Sequence, residues 1–470
     1  MKKIICIGGS DPSGGAGIEL DQRILSNLSA NFSCITTAIT SQTHKEFFKA
    51  GFVSQKFLRK QLKDNFPSEP CIVKIGMIGS LKNLEILYDF LSNRKDFIIL
   101  DPILYSTTGG ELLEKEGISF LKKYFFPMVD LLTPNLLELR ILLDEKSDPR
   151  DFIKLGVKNV LLKGGHAESY KEFVEDFFYS KDAQFCISSK KIIRKYSTRG
   201  TGCALASSVA FGLSTDLSLK DAIIFGKVNL TKNLRLATID QGVYVIHPKG
   251  TFLDDLTASD MPSIDPSKGE FLDLGIPPTQ VYPIVNRADL LKKLVGVKIA
   301  QLRIKDLSGD DLESEIKKGI EISSQMGINL FINDYFDLAK KYEAFGIHLG
   351  QEDLGKFDRL NLLESGLRLG ISTHSYFELA IALGYRPSYV AFGPIFFTTL
   401  KAMNFAPQGI EILKIIRKLV ELPLVAIGGI SLERVGEILP GEADFISVVS
   451  DISNHLDPTL RVKQWHEALQ

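Results

Sequence analysis

Apolar and polar positions follow two different rhythms along the chain. Up to about residue 250, short apolar runs rich in β-branched residues lie at 4–7, 34–39, 72–78, 97–100, 131–133 and 160–162, several of them ending in Gly, Pro or Asn. Stretches with helical period separate most of them. Continuous apolar strands alternating with helices are what a parallel sheet covered on both faces requires. The first half, residues 1–250, therefore reads as a wound α/β/α sheet. A later pair, 173–179 and 191–196, alternates more strictly and predicts an antiparallel edge. Between 251 and 279 the period lapses into Thr257, Ser259, Pro262, Ser263, Pro266, Gly269, Pro277 and Pro278, which reads as a linker.

From residue 280 to 470 a second rhythm runs. Strand-like runs lie at 281–285, 299–304, 329–332, 346–349, 367–371, 389–392, 424–427 and 444–449, with helical stretches between. Eight β/α units predict a compact (β/α)8 TIM barrel. Polar residues cluster just behind the runs: Arg303 and Lys305, Asn333 and Asp334, His348, Gln351 and Asp353, Ser372 to His374, Gly428-Gly429 and Val449-Ser450. Barrels of this kind carry their catalytic groups at the carboxyl ends of the strands, so the pattern predicts an enzyme.

Composition narrows the class. The 470 residues are 44% hydrophobic and 24% charged, too apolar for a disordered chain. Lys plus Arg (56) nearly balance Asp plus Glu (57). That balance argues against a nucleic-acid partner or an anionic membrane surface. Five cysteines without a C-x-x-C pair argue against a disulfide framework or zinc knuckle and point to a reducing compartment. The apolar start runs out at Gly8-Gly9, too early for a signal peptide, and no run is long enough to span a membrane. A cytoplasmic enzyme of small molecules is expected.

Two segments carry the candidate chemistry of the first half. Gly9-Ser10-Asp11-Pro12-Ser13-Gly14-Gly15-Ala16-Gly17 follows the first strand. It is neither a dinucleotide fingerprint nor a Walker loop. It can bring backbone close to a ligand or simply turn strand into helix. Thr198-Arg199-Gly200-Thr201-Gly202-Cys203 opens a helix whose first amides suit a phosphoryl oxygen. A thiol there has its pKa lowered by the helix terminus and serves as a general base, or it is a small buried residue of the first turn. In the barrel, Gln301, Arg303 and Lys305 alternate to one side of a strand, as an anionic ligand requires. Asp334 and Asp353 place carboxylates at successive strand ends, as magnesium prefers.

The two glycine segments do not stand alone. With them come Ser41-Gln42-Thr43, Lys74-Ile75-Gly76-Met77, Leu100-Asp101-Pro102, Thr133-Pro134-Asn135 with Glu138, and Leu162-Lys163-Gly164-Gly165-His166. This set makes residues 3 to 245 resemble the ribokinase-like vitamin kinases, most closely the hydroxymethylpyrimidine and hydroxymethylpyrimidine-phosphate kinases of thiamine synthesis. The resemblance implies ATP as phosphoryl donor and Mg2+. It also implies that Gln42 bonds the aminopyrimidine edge, while Gly9, Asp21 and Met77 line its pocket. Asn135, Glu138, Lys163 and Thr201 would serve nucleotide and magnesium. Gly200, Gly202 and Cys203 would form an anion hole with Cys203 as base. Arg199 stands where the family usually has histidine, another basic side chain to face phosphate.

Residues 280 to 452 resemble thiamine-phosphate synthase. The matching stretches are Gln301 to Lys305, Ile332-Asn333-Asp334, His348-Leu349-Gly350-Gln351-Glu352-Asp353, Gly370-Ile371-Ser372-Thr373-His374, Gly393-Pro394-Ile395-Phe396 with Thr398 and Lys401, and Ala426-Ile427-Gly428-Gly429-Ile430. The resemblance implies that Gln301, Arg303, Lys305, Asn333, Ser372 and Lys401 hold the pyrimidine pyrophosphate. Asp334 and Asp353 would bind magnesium, and Thr398, Gly429, Val449 and Ser450 the thiazole phosphate. Leu400 and Asn286 depart from the pattern, replacing a hydroxyl and an acidic residue and implying weaker thiazole-phosphate affinity. The expected whole is a bifunctional thiamine-biosynthetic enzyme, with a homodimer through the kinase half as one arrangement the resemblance allows. The alternative is a pyridoxal-type kinase fused to a thiazole tautomerase or to a barrel that binds thiamine phosphate without turnover.

Overall fold

The computed structural model describes residues 1–105, 110, 112–143, 147–164, 172–266, 268–398, 407–438 and 442–469. The chain divides into two compact units, Met1–Asp265 and Pro266–Gln470.

In the first unit the strands are β1 (Ile4–Ser10), β2 (Phe32–Gln42), β3 (Phe47–Phe52), β4 (Ile72–Ile75), β5 (Phe97–Leu100), β6 (Leu131–Leu132), β7 (Asn159–Leu162), β8 (Phe173–Ser180), β9 (Gln184–Lys190), β10 (Thr238–Asp240), β11 (Val243–Val245) and β12 (Ser263–Ile264). Ten of them form one sheet in the order β12-β9-β8-β7-β6-β5-β4-β1-β2-β3, while β10 and β11 pair separately. The middle of the sheet, from β2 to β7, is parallel, and both edges turn antiparallel. The central strands are apolar throughout because both their faces are covered: Ile4, Ile5, Ile7, Val73, Ile99 and Leu100 have no exposed surface.

Three expectations need correction. Residues 191–196 are not the second edge strand; residues 184–190 are. The turn at 181–183 is tight, with the Ser180 hydroxyl accepting from the amides of Asp182 and Ala183 at 3.3 and 3.0 Å. It pairs Tyr179 with Gln184 and Phe173 with Lys190, leaving 191–196 beyond the ladder and Ile193 90% exposed. Strand β3 was not expected. The supposed linker is largely packed. Lys232 Nζ donates to the carbonyls of Thr251 and Phe252, Arg235 pairs with fully buried Asp260, and β12 joins the sheet against β9. Phe271 and Leu274, further on, are buried in the second unit.

That second unit is a closed barrel of eight parallel strands: β13 (Gln280–Val285), β14 (Ile299–Leu302), β15 (Asn329–Asn333), β16 (Gly346–Leu349), β17 (Arg368–Thr373), β18 (Tyr389–Phe392), β19 (Leu424–Ile427) and β20 (Phe445–Val448). Leu274, Tyr282, Phe331, Tyr389, Val425 and Phe445 share one core cluster. Rings of this size fit because the neighbouring strands carry glycine. A Cβ on Gly346 would stand 2.3 Å from Phe331, and one on Gly370 2.1 Å from Tyr389. Among the described residues, no helix is long and apolar enough to cross a membrane.

Candidate active sites

The kinase-like site is assembled where β1, β2, β4 and β5 end against the helix Thr201–Ser214. Gly200 is its N-cap in the left-handed region, φ +76°. A Cβ there would lie 2.2 Å from Leu20 and 2.3 Å from the Gly15 carbonyl, so glycine lets the loop after β1 rest on the helix start. At Gly202 a Cβ would meet Asp101 Oδ2 at 2.8 Å and Lys163 Nζ at 3.1 Å. The helix's first turn is therefore pressed against an ion pair, Lys163 Nζ to Asp101 Oδ1 at 2.6 Å, whose carboxylate also accepts from Thr133 Oγ1. A helix amino terminus beside a lysine is chemistry for a phosphoryl group. Asp101 was quoted in the sequence without a role. Its signal was a carboxylate ending an apolar strand.

Glu138 and Asn135 form a reciprocal capping box: the Asn135 amide donates to Glu138 Oε2 at 2.7 Å and the Glu138 amide to Asn135 Oδ1 at 2.8 Å. Burial pushes the Glu138 carboxyl up to about 7, against the opposing pull of Lys163, and Asp101 adds to the rise. Two carboxylates facing one lysine are a donor set that fits a magnesium ion held mainly by nucleotide phosphates. Burial opposes charge on Lys163, yet Asp101 and Glu138 hold its pKa above the usual value.

Two of the expected residues have surroundings the sequence did not suggest. The net shift of the Cys203 thiol is upward. Burial raises it to about 11, outweighing Lys74 and the Gly17 amide, which pull the other way. Asp21 has no exposed surface; both its oxygens take Lys74 Nζ, at 2.8 and 2.9 Å, and Oδ1 also accepts from Ser207. It serves as a buried counter-charge for Lys74 rather than offering a free oxygen to a pocket. Lys74 was legible as a lone cation in the apolar run of β4. Gly9 and Met77 do meet, since a Cβ on Gly9 would stand 2.6 Å from Met77 Sδ. The cross-strand partner of Gln42 is Phe47, which packs in the small cluster of Met77, Ala38 and Leu112. Arg199 does not face open solvent as a phosphate ligand would. It is 4% exposed and spends four contacts on Thr43, His44, Asp11 and Gln42. Gly165 and His166 lie outside the described residues.

In the barrel, the expected residues gather at the carboxyl ends of β14 to β17. Lys305 pairs with Asp334, and Lys356 with Asp353 at 2.6 Å. Asp353, bonded to Lys356, and Asp334, at φ +68°, both act on the Lys356 charge, so the two expected metal carboxylates share one electrostatic neighbourhood. Both are hard oxygen donors now balanced by lysines, which fits a site for a divalent cation. Arg303 is half-buried beyond the end of β14, and Asn333 is buried at the end of β15. Gly428 and Gly429 have φ +97° and +65°. A Cβ on Gly429 would stand 2.4 Å from the Phe397 carbonyl, so the backbone runs close beneath the segment that leads to Thr398. Val449 and Ser450 open a short helix after β20, where first-turn amides have no intrahelical acceptor. Lys401 and Leu400 lie outside the described residues.

A buried polar chain inside the barrel was not expected from the sequence. Tyr282 and Tyr389 share a 2.8 Å hydroxyl contact, His348 Nδ1 meets Tyr389 Oη at 2.7 Å, and His348 Nε2 meets Ser372 Oγ at 2.7 Å. Burial raises both phenols, and Gln301, from the expected anion set, pulls them the other way. The chain links Tyr282 to Ser372 through side chains that no local pattern pairs.

Comparison with known proteins agrees with this geometry. The family model for phosphomethylpyrimidine kinase matches residues 11–247, and that for thiamine monophosphate synthase matches residues 284–452. A thiamine biosynthetic bifunctional enzyme of Arabidopsis thaliana is 28% identical over 497 residues, covering 100% of this chain and 93% of that one. A probable thiamine biosynthetic bifunctional enzyme of Oryza sativa is 29% identical over 467 residues, 93% of this chain and 82% of that one. A thiamine-phosphate synthase of an Enterobacter species is 46% identical over 180 residues, 38% of this chain and 85% of that one.

Proposed function

The chain belongs to the phosphomethylpyrimidine kinase family through its first unit and to the thiamine-phosphate synthases through its second, and on that premise we propose how its two sites divide the work. It is a bifunctional transferase of thiamine biosynthesis. The first unit transfers phosphoryl groups from ATP to hydroxymethylpyrimidine and then to its monophosphate, and the barrel joins the resulting pyrophosphate to thiazole phosphate. In the first unit Lys163 and the amides of the helix opened by Gly200 hold the transferring group. This is the positioning and charge stabilisation on which such transfer depends. Asp101 and Glu138 would hold magnesium, which supplies charge neutralisation at the phosphates. Gln42, Gly9 and Met77 receive the pyrimidine. In the barrel, Gln301, Arg303, Lys305, Asn333, Ser372 and Lys401 hold the pyrimidine pyrophosphate, and Asp334 and Asp353 would hold the cation that eases its departure. Thr398, Gly429, Val449 and Ser450 hold the thiazole phosphate. The coupling needs no protein nucleophile.

The observation that carries this reading is that each unit brings its own charged set to the carboxyl ends of its strands. One set is Lys163 and Asp101 against a helix start; the other is Lys305, Asp334 and Asp353 at a barrel mouth. We place the enzyme in the cytoplasm, supported by five free thiols. Ile39, Phe48 and Phe52 are exposed on β2 and β3, an apolar sheet edge that supports a homodimer through the kinase unit. The test is a single incubation with hydroxymethylpyrimidine, ATP, magnesium and thiazole phosphate, reading thiamine phosphate. Product that disappears on replacing either Lys163 or Asp334 is expected. Pyrimidine pyrophosphate accumulating alone would remove the synthase reading, and phosphorylation of pyridoxal in place of the pyrimidine would remove the kinase one.

A further inference from the structure

The guanidinium of Arg199 joins two segments that otherwise have little in common. Nη1 donates to the carbonyls of Thr43 and His44 at 3.0 and 3.1 Å. Nη2 donates to Asp11 Oδ2 at 3.2 Å and to Gln42 Oε1 at 3.1 Å. Its own backbone is anchored, the Arg199 amide donating to the Tyr244 carbonyl at 3.0 Å. Gly15 lets the loop after β1 lie on the group, since a Cβ there would come within 3.0 Å of His44 Nδ1 and 3.3 Å of Arg199 Nε. Only a planar fork of several donors meets four acceptors in this way, and an ammonium does not.

The consequence falls on Gln42. A carboxamide presents an acceptor on one side and a donor on the other, and a half-turn exchanges them. At Gln42 both neighbours fix the choice. Arg199 can only donate, so the amide oxygen must face it. Thr40 Oγ1 spends its proton on the Ser10 carbonyl at 2.8 Å, so toward Gln42 it must accept, and Nε2 stands 2.9 Å away. The polarity runs one way, from Arg199 through Gln42 and Thr40 to Ser10. One Nε2–H is left for a ligand.

We propose that Arg199 is a positioning residue that sets the hydrogen-bonding sense of Gln42 and, through it, which pyrimidine the kinase site accepts. The inference rests on the kinase reading above. A remaining N–H donor suits the bare ring nitrogen beside the amino group of an aminopyrimidine. It opposes the 4-oxo analogue, whose corresponding nitrogen carries a proton, so two donors would meet.

The test is steady-state kinase kinetics of the full chain on 4-amino- and 4-oxo-5-hydroxymethyl-2-methylpyrimidine. The parent is expected to favour the amino substrate. Arg199→Met should cut that preference by about tenfold or more, mainly through KM for the amino substrate, because the amide is then held by Thr40 alone, whose hydroxyl can rotate away from the Ser10 carbonyl and donate to a reversed amide. Gln42→Met should give a similar loss, and the double variant no more than either alone. If Arg199→Met does not fold, Arg199→Lys serves, with an intermediate loss expected. A preference unchanged in the Arg199 variants would overturn the proposal, as would equal losses on both substrates or losses that multiply in the double variant. A parent chain that phosphorylates neither pyrimidine would instead sink the kinase reading, and this inference with it.

Discussion

At Cys203, burial raises the thiol to about 11 although the Lys74 charge and the Gly17 amide pull it down. Near neutral pH the group stays a thiol, so in the proposed kinase site the anion hole is expected to contribute more than Cys203. Positioned general bases are worth roughly 10²–10⁴-fold, and preorganised anion donors roughly 10²–10³-fold. Cys203→Ala is therefore expected to slow phosphoryl transfer by less than about tenfold. Gly200→Ala, with its Cβ at 2.2 Å from Leu20 and a left-handed backbone, should slow it by more than about a hundredfold. Rates of the two purified variants at saturating ATP decide this, and a hundredfold loss in Cys203→Ala would restore the base. Glu138 makes a second prediction, from its carboxyl raised to about 7 by burial. Its ordinary value is 4.5, so the folded protein holds the proton more tightly than the unfolded chain. Stability then falls as pH rises from about 4.5 to 7 and stays lowered above that. Glu138→Gln keeps the capping box and removes the titration. Without magnesium or nucleotide, it should melt higher than the parent at pH 8, by at most about 3 kcal/mol, with the difference closing at pH 5. A gap that is the same at both pH values would refute it.

Between elements, the barrel's polar chain ties β13, β16, β17 and β18 through Tyr282, His348, Ser372 and Tyr389. Tyr389 has no exposed surface. Tyr389→Phe strips a partner from both Tyr282 Oη and His348 Nδ1, and a buried polar group left unpaired costs roughly 1–3 kcal/mol. The barrel's thermal transition should drop by several degrees while that of the kinase unit stays put, as scanning calorimetry would show. The same chain shows where sequence reading stops. The barrel strands were legible because apolar runs such as those of β16 and β19 repeat with turn residues between them, and Asp334 and Asp353 because charges follow them at once. The tyrosine–histidine chain was not, since its members lie up to 107 positions apart and nothing local pairs the two core tyrosines with His348 and Ser372. Strand β3 escaped for a different reason. Phe48 and Phe52 are more than half exposed on an edge, so no inside–outside alternation marks it. Arg199 was noticed as a departure, but its partners were set by the meeting of two distant segments.

Across the whole molecule, the residues proposed for the kinase site all come from Met1–Asp265 and those proposed for the synthase site all from Pro266–Gln470. Each unit has its own apolar core, one around Ile5, Val73, Leu100 and Phe125, the other around Tyr282, Phe331 and Tyr389. A site complete in its own unit needs only that substrate reach it, and here the product of one reaction is the substrate of the next. Two chains, each disabled at a different site, should therefore complement one another in solution. Lys163→Met supplies a working barrel and Asp334→Asn a working kinase. Their mixture should make thiamine phosphate from hydroxymethylpyrimidine, ATP and thiazole phosphate after a lag, while free pyrimidine pyrophosphate accumulates to the level the barrel can use. Raising the proportion of Asp334→Asn chain should shorten that lag. If each variant keeps its remaining activity alone but the mixture stays silent while the parent turns over, the intermediate never leaves the chain that made it, and the independence of the two sites is lost.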